Sequence, residues 1–159
     1  IVTNGGGFGV IVADHCSENG LEVPPPSPQL KEKLGSKFST FYVVNNPVDL
    51  TGSACDRDYY IALNACMIES DEYDAAIIIP LMAPQGMTEK VVDLITETMK
   101  RSGKPAVICT VGGAFTMKIK GLFEEREFPV YPSPERSARA MSMLLKRRVL
   151  QDGAVRSAI

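Results

Sequence analysis

Short apolar runs along the chain predict the strands of a parallel sheet. Residues 75–81 and 106–111 are almost continuously apolar, a pattern typical of strands that helices cover on both faces. Three shorter segments, at residues 1–3, 21–23 and 129–131, also have strand character. These five segments are the predicted strands, and the extended residues 36–44 are left unassigned.

Between these runs, apolar residues recur at intervals of three and four positions, which predicts helices. The clearest helix covers residues 85–101 and is followed by Gly103. Its apolar face consists of Met87, Val91, Leu94, Ile95 and Thr98. The other predicted helices cover residues 8–19, 28–34, 56–70 and 114–127, with a last one from Pro134 onward. A serine followed by a proline opens two of them, as expected for an N-cap and the first helical position.

Strands that alternate with helices predict an α/β fold. We expect a flavodoxin-like open parallel sheet of about five strands in the order 2-1-3-4-5, with helices on both faces in a three-layer αβα arrangement. Residues 1–159 would form a single domain. Ligands of such sheets bind outside the carboxyl ends of the strands, so we expect a site at the turns after Thr3, Pro80 and Val111.

The composition excludes several classes of protein. The chain of 159 residues is 45% hydrophobic and carries 17 Lys and Arg against 19 Asp and Glu, so an ordinary core is within reach. The basic residues are scattered, and no nucleic acid partner is expected. No apolar stretch approaches the ~18 residues that span a bilayer, and the first residues lack the pattern of a signal peptide. We therefore expect no membrane partner and a cytoplasmic location.

The start of the chain predicts a fragment. Ile1 is not preceded by an initiator methionine, and the first three residues have the character of a strand already under way. We therefore expect residues 1–159 to be one part of a longer multidomain chain. Catalytic groups can then lie outside this sequence.

The cysteines and the histidine do not form a recognisable reactive set. Cys16, Cys55, Cys66 and Cys109 are far apart and form no C-x-x-C pair, so we expect reduced, half-buried thiols and no metal site. The only histidine, His15, is predicted in mid-helix. Its neighbours in sequence point in other directions and cannot form a relay with it. No catalytic residue is assigned.

A glycine turn follows the first predicted strand. Asn4, Gly5, Gly6 and Gly7 join that strand to a helix, and consecutive glycines leave N–H groups uncovered at the positive end of the helix. The turn lacks the spacing of a dinucleotide fingerprint and the Gly-Lys-Ser/Thr ending of a phosphate loop. Two interpretations stay open, which are contact with an anion and a tight turn that merely permits close packing.

Two further loops are candidates. Ala83, Pro84, Gln85 and Gly86 follow the strongest strand, and a helix that begins there would point its N-terminus at the same sheet edge as the glycine turn. The other loop consists of Asn46, Pro47, Asp49 and Gly52. We expect it to be structural, with Asp49 either capping the next helix or accepting from main-chain amides across the sheet edge.

The order of these motifs resembles a known family. The segments that carry the resemblance are Ile-Val-Thr-Asn-Gly-Gly-Gly-Phe-Gly-Val at 1–10, Asn-Pro-Val-Asp-Leu-Thr-Gly-Ser-Ala at 46–54, the strand at 74–81, Gly-Lys-Pro-Ala-Val at 103–107 and Pro-Val-Tyr-Pro-Ser-Pro-Glu-Arg-Ser-Ala at 129–138. Together they resemble the ligase-CoA domain of the NDP-forming acyl-CoA synthetases. That family includes the ADP-forming acetyl-CoA synthetases and, more distantly, the succinyl-CoA synthetases.

The resemblance implies one part of a reversible ligase reaction. An acyl-CoA and phosphate give an acyl phosphate and CoA, a histidine takes the phosphoryl group, and an ATP-grasp domain passes it to ADP or GDP. The family's histidine lies in a Ser-His-Thr-Gly-Ala-like loop of a neighbouring domain, and His15 does not match that motif. The parent enzyme would use CoA, ATP or ADP, and Mg, whereas this fragment would bind no cofactor alone and would be inactive alone.

The resemblance also implies partners and contacts. The chain would pack against the CoA-binding and phosphohistidine domain and the ATP-grasp domain. It would present residues 4–7 and 83–86 to the phosphorylated histidine, with Ala83-Pro84 standing where succinyl-CoA synthetases have adjacent glycines. Two alternatives remain, namely a stand-alone flavodoxin-like module that binds a phosphorylated small ligand and a non-catalytic assembly domain. The sequence leaves a homo-oligomer open and does not define the acyl group.

Overall fold

The computed structural model describes the backbone of residues 1–156 and the side chains of residues 1–147. Its centre is a five-stranded sheet in the order β2-β1-β3-β4-β5, and every pair of neighbouring strands is parallel. The strands are β1 (Val2–Thr3), β2 (Val48–Asp49), β3 (Ala76–Ile79), β4 (Ala106–Cys109) and β5 (Val130–Tyr131). The predicted α/β fold and strand order are confirmed.

Six helices connect and cover these strands. They are α1 (Gly6–Glu18), α2 (Pro28–Gly35), α3 (Asp56–Leu63), α4 (Lys90–Ser102), α5 (Ala114–Glu125) and α6 (Pro134–Arg156). A π-helical turn, Asn64–Ile68, continues α3. No helix among the described residues is long and apolar enough to cross a membrane.

Alternation along the central strands divides the core into two layers. Ile77 and Ile79 of β3 face a cluster with Val12 of α1 and Met141 of α6. Ile78, between them, faces a larger cluster that the remaining helices cover. Successive strand residues point to opposite faces, so the apolar run that sequence analysis assigned to a doubly covered strand is buried on both sides. The prediction of helices on both faces is confirmed.

The second strand is not where the sequence placed it. Residues 21–23 form no strand, and Val48–Asp49 pairs with β1 instead. The amide of Val48 donates to the carbonyl of Ile1 at 2.8 Å, and that of Leu50 donates to the carbonyl of Thr3 at 2.7 Å. Pro47 and Asp49 are residues that strands disfavour, so local propensity predicted a loop and tertiary pairing overrode it.

Part of the unassigned segment covers the outer edge of β2. Val43 forms an isolated antiparallel bridge with Asp49, in which the amide of Val43 donates to the carbonyl of Asp49 at 2.9 Å and the reverse bond measures 3.0 Å. Edge strands expose unpaired main-chain groups that invite pairing with other chains. This bridge occupies those groups of β2.

Two predicted helices differ from the observed ones. The helix expected over residues 56–70 changes to a π-helical turn at Asn64, and the amide of Glu69 donates to the carbonyl of Asn64 at 3.0 Å. The helix expected to begin at Gln85 begins at Lys90. The last helix begins at Pro134 as predicted, and along it Met141 is buried whereas Leu144 is 40% exposed.

Candidate functional site

The topology places the candidate site at the carboxyl ends of β1 and β3. β1 lies beside β3, and the connection after β1 leads to β2 on one side whereas the connection after β3 leads to β4 on the other. Open α/β sheets bind ligands at such a switch point. The glycine turn follows β1 and the turn at 83–86 follows β3, so the structure brings these two predicted segments to one edge.

Asn4 joins these two strand ends through its side chain. Its Nδ2 donates to the carbonyl of Leu81 at 2.8 Å, and its Oδ1 accepts from the amide of Leu81 at 2.8 Å. The side chain is buried, and both ends of its amide group are used. Asn4 was predicted to contact an anion, but its side-chain donors face the main chain of Leu81, so its main role here is structural.

A buried tyrosine supports the same junction. The hydroxyl of Tyr59 donates to the carbonyl of Ile79, the last residue of β3, at 2.6 Å. Burial raises the pKa of Tyr59 well above its ordinary value, so the phenol stays neutral. Tyr59 was not among the predicted site residues, because its contact with Ile79, 20 positions away, has no local signal in the sequence.

The N-terminus of α1 has main-chain donors without acceptors. The first bond within this helix runs from the amide of Gly9 to the carbonyl of Gly5 at 3.1 Å, and no side chain caps the helix. Within the described part of the chain, the amides of Gly6, Gly7 and Phe8 donate to no acceptor. Unpaired amides at the positive end of a helix are suited to an anion.

Asp49 lies against this helix end. A Cβ atom placed on Gly6 would lie 2.5 Å from Oδ2 of Asp49, so glycine is required there for the close approach. Oδ1 of Asp49 accepts from the amide of Thr51 at 2.8 Å. Within the described residues the carboxylate therefore bonds a main-chain amide of its own loop, which is neither the cap of the next helix nor the bond across the sheet edge that the sequence predicted.

The other residues of that loop have separate positions. Asn46 lies at the amino end of β2, where its Oδ1 accepts from the nitrogen of Ile1 at 2.8 Å and its Nδ2 donates to the carbonyl of Pro24 at 3.0 Å. Pro47 follows a cis peptide bond, and its ring packs where a Cβ on Gly9 would lie, at 3.2 Å. Gly52 is exposed and faces open space.

The turn at 83–86 is not a helix N-terminus, which corrects the expectation for Ala83, Pro84, Gln85 and Gly86. The amide of Met87 donates to the carbonyl of Pro84 at 3.0 Å, which closes the turn. Gly86 packs tightly, since a Cβ there would lie 2.8 Å from the carbonyl oxygen of Ala54. Ala83 and Gln85 stay exposed at the sheet edge, so any contact they make with an anion would not involve a helix dipole.

The first amides of α4 are already bonded. The amide of Lys90 donates to the hydroxyl of Thr88 at 3.2 Å, and the amide of Val91 donates to the carbonyl of Thr88 at 3.2 Å. Asp56 of α3 accepts in turn from the amide of Thr88 at 2.8 Å and from its hydroxyl at 2.5 Å. The N-terminus of α4 is thus tied to α3 and offers few free donors.

A second free helix N-terminus follows β4. Gly113 is the N-cap of α5 without a side-chain cap, and the amide of Met117 donates to its carbonyl at 3.1 Å. In the described residues, the amides of Ala114, Phe115 and Thr116 have no acceptor. Gly112 and Gly113 form the turn after Val111, where a site was also expected, and the structure shows a helix start at this position.

Of the reactive side chains, His15 lies on α1 away from this edge, whereas Cys55 lies beside Gly86. His15 bonds Glu18 at 2.7 Å on the outside of α1, as expected for a surface histidine. All four cysteines are free and three are buried, and burial raises the pKa of the Cys66 thiol to about 11. The described residues contain no group of three or more His, Cys, Asp or Glu that could hold a metal ion.

A cavity lies at the opposite, amino edge of the sheet. It measures about 720 Å³, and its walls include Ile1, Val23, Ala76 and Met141. Asn46 is the one predicted site residue that borders it. The candidate anion site is therefore a shallow feature of helix ends and is separate from this cavity.

Comparisons of the sequence relate the chain to known proteins. Residues 1–140 match the family model described as the ligase-CoA domain. The chain is 32% identical over 149 residues to subunit alpha of ADP-forming acetate-CoA ligase I from Pyrococcus furiosus, covering 92% of this chain and 32% of the relative. It is 30% identical over 158 residues to subunit alpha of ligase II from the same organism, covering 98% and 35%.

Solved structures show the same similarity. The apo form of dinucleotide-forming acetyl-coenzyme A synthetase 1 from Ca. Korarchaeum cryptofilum superposes with a TM-score of 0.84 at 28% identity, covering 99% of this chain and 35% of that one. Its complex with phosphate and ADP has the same TM-score, 0.84, with 34% of that chain covered. The chain spans about a third of the length of these curated and structural relatives.

Proposed function

We propose, from the premise that this chain belongs to the ligase-CoA domain family, that it is one domain of an ADP-forming acyl-CoA synthetase. The parent enzyme converts an acyl-CoA, phosphate and ADP into a carboxylic acid, CoA and ATP, and the reaction is reversible. In this proposal residues 1–159 hold no nucleophile. Their role is to stabilise a phosphoryl group carried on a histidine of another domain.

The observation that carries the proposal is the set of unpaired amides at the start of α1. Gly6, Gly7 and Phe8 place three donors together at the switch point of the sheet. A phosphorylated side chain carries about −1.5 to −2 charges at pH 7, and a helix N-terminus carries about +0.5. Such a site stabilises the phosphoryl group without Lys or Arg.

The exposed turn at 83–86 completes this proposed surface on the side of β3. Ala83 and Gln85 are exposed beside the strand end that Asn4 joins to β1. A phosphorylated loop that approached α1 would meet this turn as well. We assign it a contact with the incoming loop and assign the charge stabilisation to α1.

The remaining parts of the parent enzyme are proposed to supply the chemistry. CoA and the phosphorylated histidine belong to a CoA-binding domain, and ADP, ATP and Mg belong to an ATP-grasp domain. Subunits named alpha among the relatives support a division of the enzyme between chains. The carboxylate of Asp49, which bonds the amide of Thr51 and lies beside Gly6, would repel the phosphoryl group and so limit how tightly α1 holds it.

The test is a substitution at Gly6 in the complete enzyme. A valine there would meet Oδ2 of Asp49 and cover the first amides of α1, so we expect Gly6→Val to lower acyl-CoA-dependent ATP synthesis by about 100-fold, the range for loss of a preorganised oxyanion donor. The matched control is Gly35→Val, because Gly35 lies at the end of α2 with open space around it. Thermal unfolding of both variants checks that they are folded.

The outcomes separate the proposals. Full ATP synthesis and normal acid-labile phosphoenzyme in a folded Gly6→Val enzyme would refute the role of α1. The complete protein could instead bind inorganic phosphate saturably and show no acyl-CoA-dependent ATP synthesis. That result would favour a module for phosphorylated small ligands. Loss of ATP synthesis and of phosphoenzyme in the Gly35→Val enzyme as well would show a general effect on folding.

A further inference from the structure

One side of α6 forms a groove that no part of the described chain covers. The groove measures about 470 Å³ and runs between α6 and the outer edge of β5. β5 ends the sheet and pairs only with β4. The walls consist of Pro129 and Tyr131 on the strand side and Arg136, Arg139, Ala140, Met143, Leu144 and Arg147 on the helix side.

The residues on the helix side of the groove form a stripe along α6, separate from the stripe that packs on the sheet. Ser137, Ala138, Met141 and Ser142 are buried and form the stripe that packs on the sheet. The groove residues recur at the same intervals of three and four positions, which places them on a neighbouring face of the same helix. Met143 is 64% exposed and Leu144 is 40% exposed, so this face combines apolar and basic side chains in contact with solvent.

The charges of the groove have one sign. Arg136, Arg139 and Arg147 line it, and no acidic residue does. None of these arginines forms an ion pair with another described residue. The whole chain has a net charge of −2, so the positive charge of this groove is opposite in sign to the net charge of the protein. A groove with this charge is complementary to an acidic partner.

The spacing of the arginines limits what can occupy the groove. Arg136 and Arg147 are eleven positions apart on one helix, which corresponds to about 16 Å along its axis. A single phosphate group cannot bridge that length, and the middle of the groove is apolar. An amphipathic helix with acidic residues at both ends of an apolar stripe matches the arrangement.

We propose that this groove docks an acidic amphipathic helix of a partner chain that is not a second copy of this one. Docking through a two-fold axis would place the arginines of one copy against those of another, which is unfavourable. Guanidinium groups suit such a partner because they bind carboxylates bidentately. The proposal uses none of the residues at the carboxyl ends of β1 and β3 and does not depend on the phosphoryl site.

The probe is a synthetic helical peptide with glutamates eleven positions apart and leucines between them, labelled for fluorescence anisotropy. We expect saturable binding to the complete protein, weakened at least about tenfold by Arg139→Glu with Arg147→Glu, and weakened by salt because the contacts are exposed charges. The control variant is Arg57→Glu, since Arg57 is exposed on α3 outside the groove. The control peptide has lysines in place of the glutamates.

A photo-crosslinker in place of Met143 identifies the natural occupant in the expressing cell. The expected product is a defined crosslink to a helical segment of another chain with acidic residues at both ends. A crosslink to a second copy of this chain, or to a basic or neutral segment, would overturn the proposal. Equal peptide affinity in the groove variants and the Arg57→Glu control would overturn it independently.

Discussion

At the scale of single residues, Asn4 shows how a polar side chain at a strand end can serve the fold. An asparagine beside a glycine turn is compatible with an anion contact, which is how the sequence was interpreted. The structure uses both ends of its amide group on the main chain of Leu81. The residue therefore sets the distance between the ends of β1 and β3, and through it the shape of the site that those ends form.

Replacing this amide should cost stability. Asn4→Ala would leave the amide and carbonyl of Leu81 without their partners in a partly buried position, and each such group costs about 1–3 kcal/mol. We expect the free energy of unfolding, measured in urea, to fall by at least about 2 kcal/mol. Asn45→Ala is the control, because Asn45 is exposed in the loop before β2. Equal stability of the two variants would contradict the structural role of Asn4.

At the scale of elements, the ends of the helices differ in what they can bind. α1 and α5 begin at glycines without a side-chain cap, and their first amides are free. α4 begins five positions later than expected, at Lys90, because Asp56 of α3 holds Thr88 and Thr88 bonds the amides that follow. The available positive helix ends are therefore those of α1 and α5.

Two glycines at opposite kinds of helix end, Gly7 in the first turn of α1 and Gly103 at the C-cap of α4, should respond oppositely to alanine. Gly7 lies in the first turn of α1 with open space around it, so Gly7→Ala should stabilise the protein by about 0.5–1 kcal/mol through reduced freedom of the unfolded chain. Gly103 caps α4 with a φ of 64°, and Gly103→Ala should destabilise by about 1 kcal/mol. Urea unfolding measures both changes. A loss of stability in Gly7→Ala would show that its backbone is not helical.

At the scale of the whole molecule, two apolar layers cover the sheet, and both contain buried thiol or phenol groups that are weak acids. Cys16 and Cys109 lie in the layer beneath α1 and α6, and Cys66 and Tyr59 lie in the other. Burial is the largest cause of the raised pKa of each of these groups. The fold therefore depends on these acids remaining neutral.

Stability should fall at alkaline pH. The pKa of Cys66 is raised from 9.0 to about 11, so its contribution is complete below pH 9 and is lost as pH rises towards 11, because the unfolded thiol ionises first. One group changes the free energy of unfolding by up to about 1.4 kcal/mol for each pH unit. Urea unfolding between about pH 8 and 10.5 should show this slope, reduced in Cys66→Ala. A flat profile in the unsubstituted protein would contradict the burial of these thiols.

The sequence by itself determined the class of fold, four of the five strands and the family. Continuous apolar runs such as residues 75–81 can only be accommodated between two layers of helices, and the helical face that includes Val91 and Ile95 needs only local periodicity to be recognised. The glycine turn, too, was recognisable as a helix start, because consecutive glycines after a strand have a local conformational meaning.

Only the tertiary structure decided where long-range partners lie. Val48–Asp49 became a strand because β1 supplied main-chain partners that no local pattern reveals. Asn4 became a bridge because Leu81, 77 positions away, lies beside it. Asp49 took its place against Gly6 through the same parallel pairing. Local propensity predicts which segments are able to form elements, whereas hydrogen-bond partners and close approaches depend on contacts between distant parts of the chain.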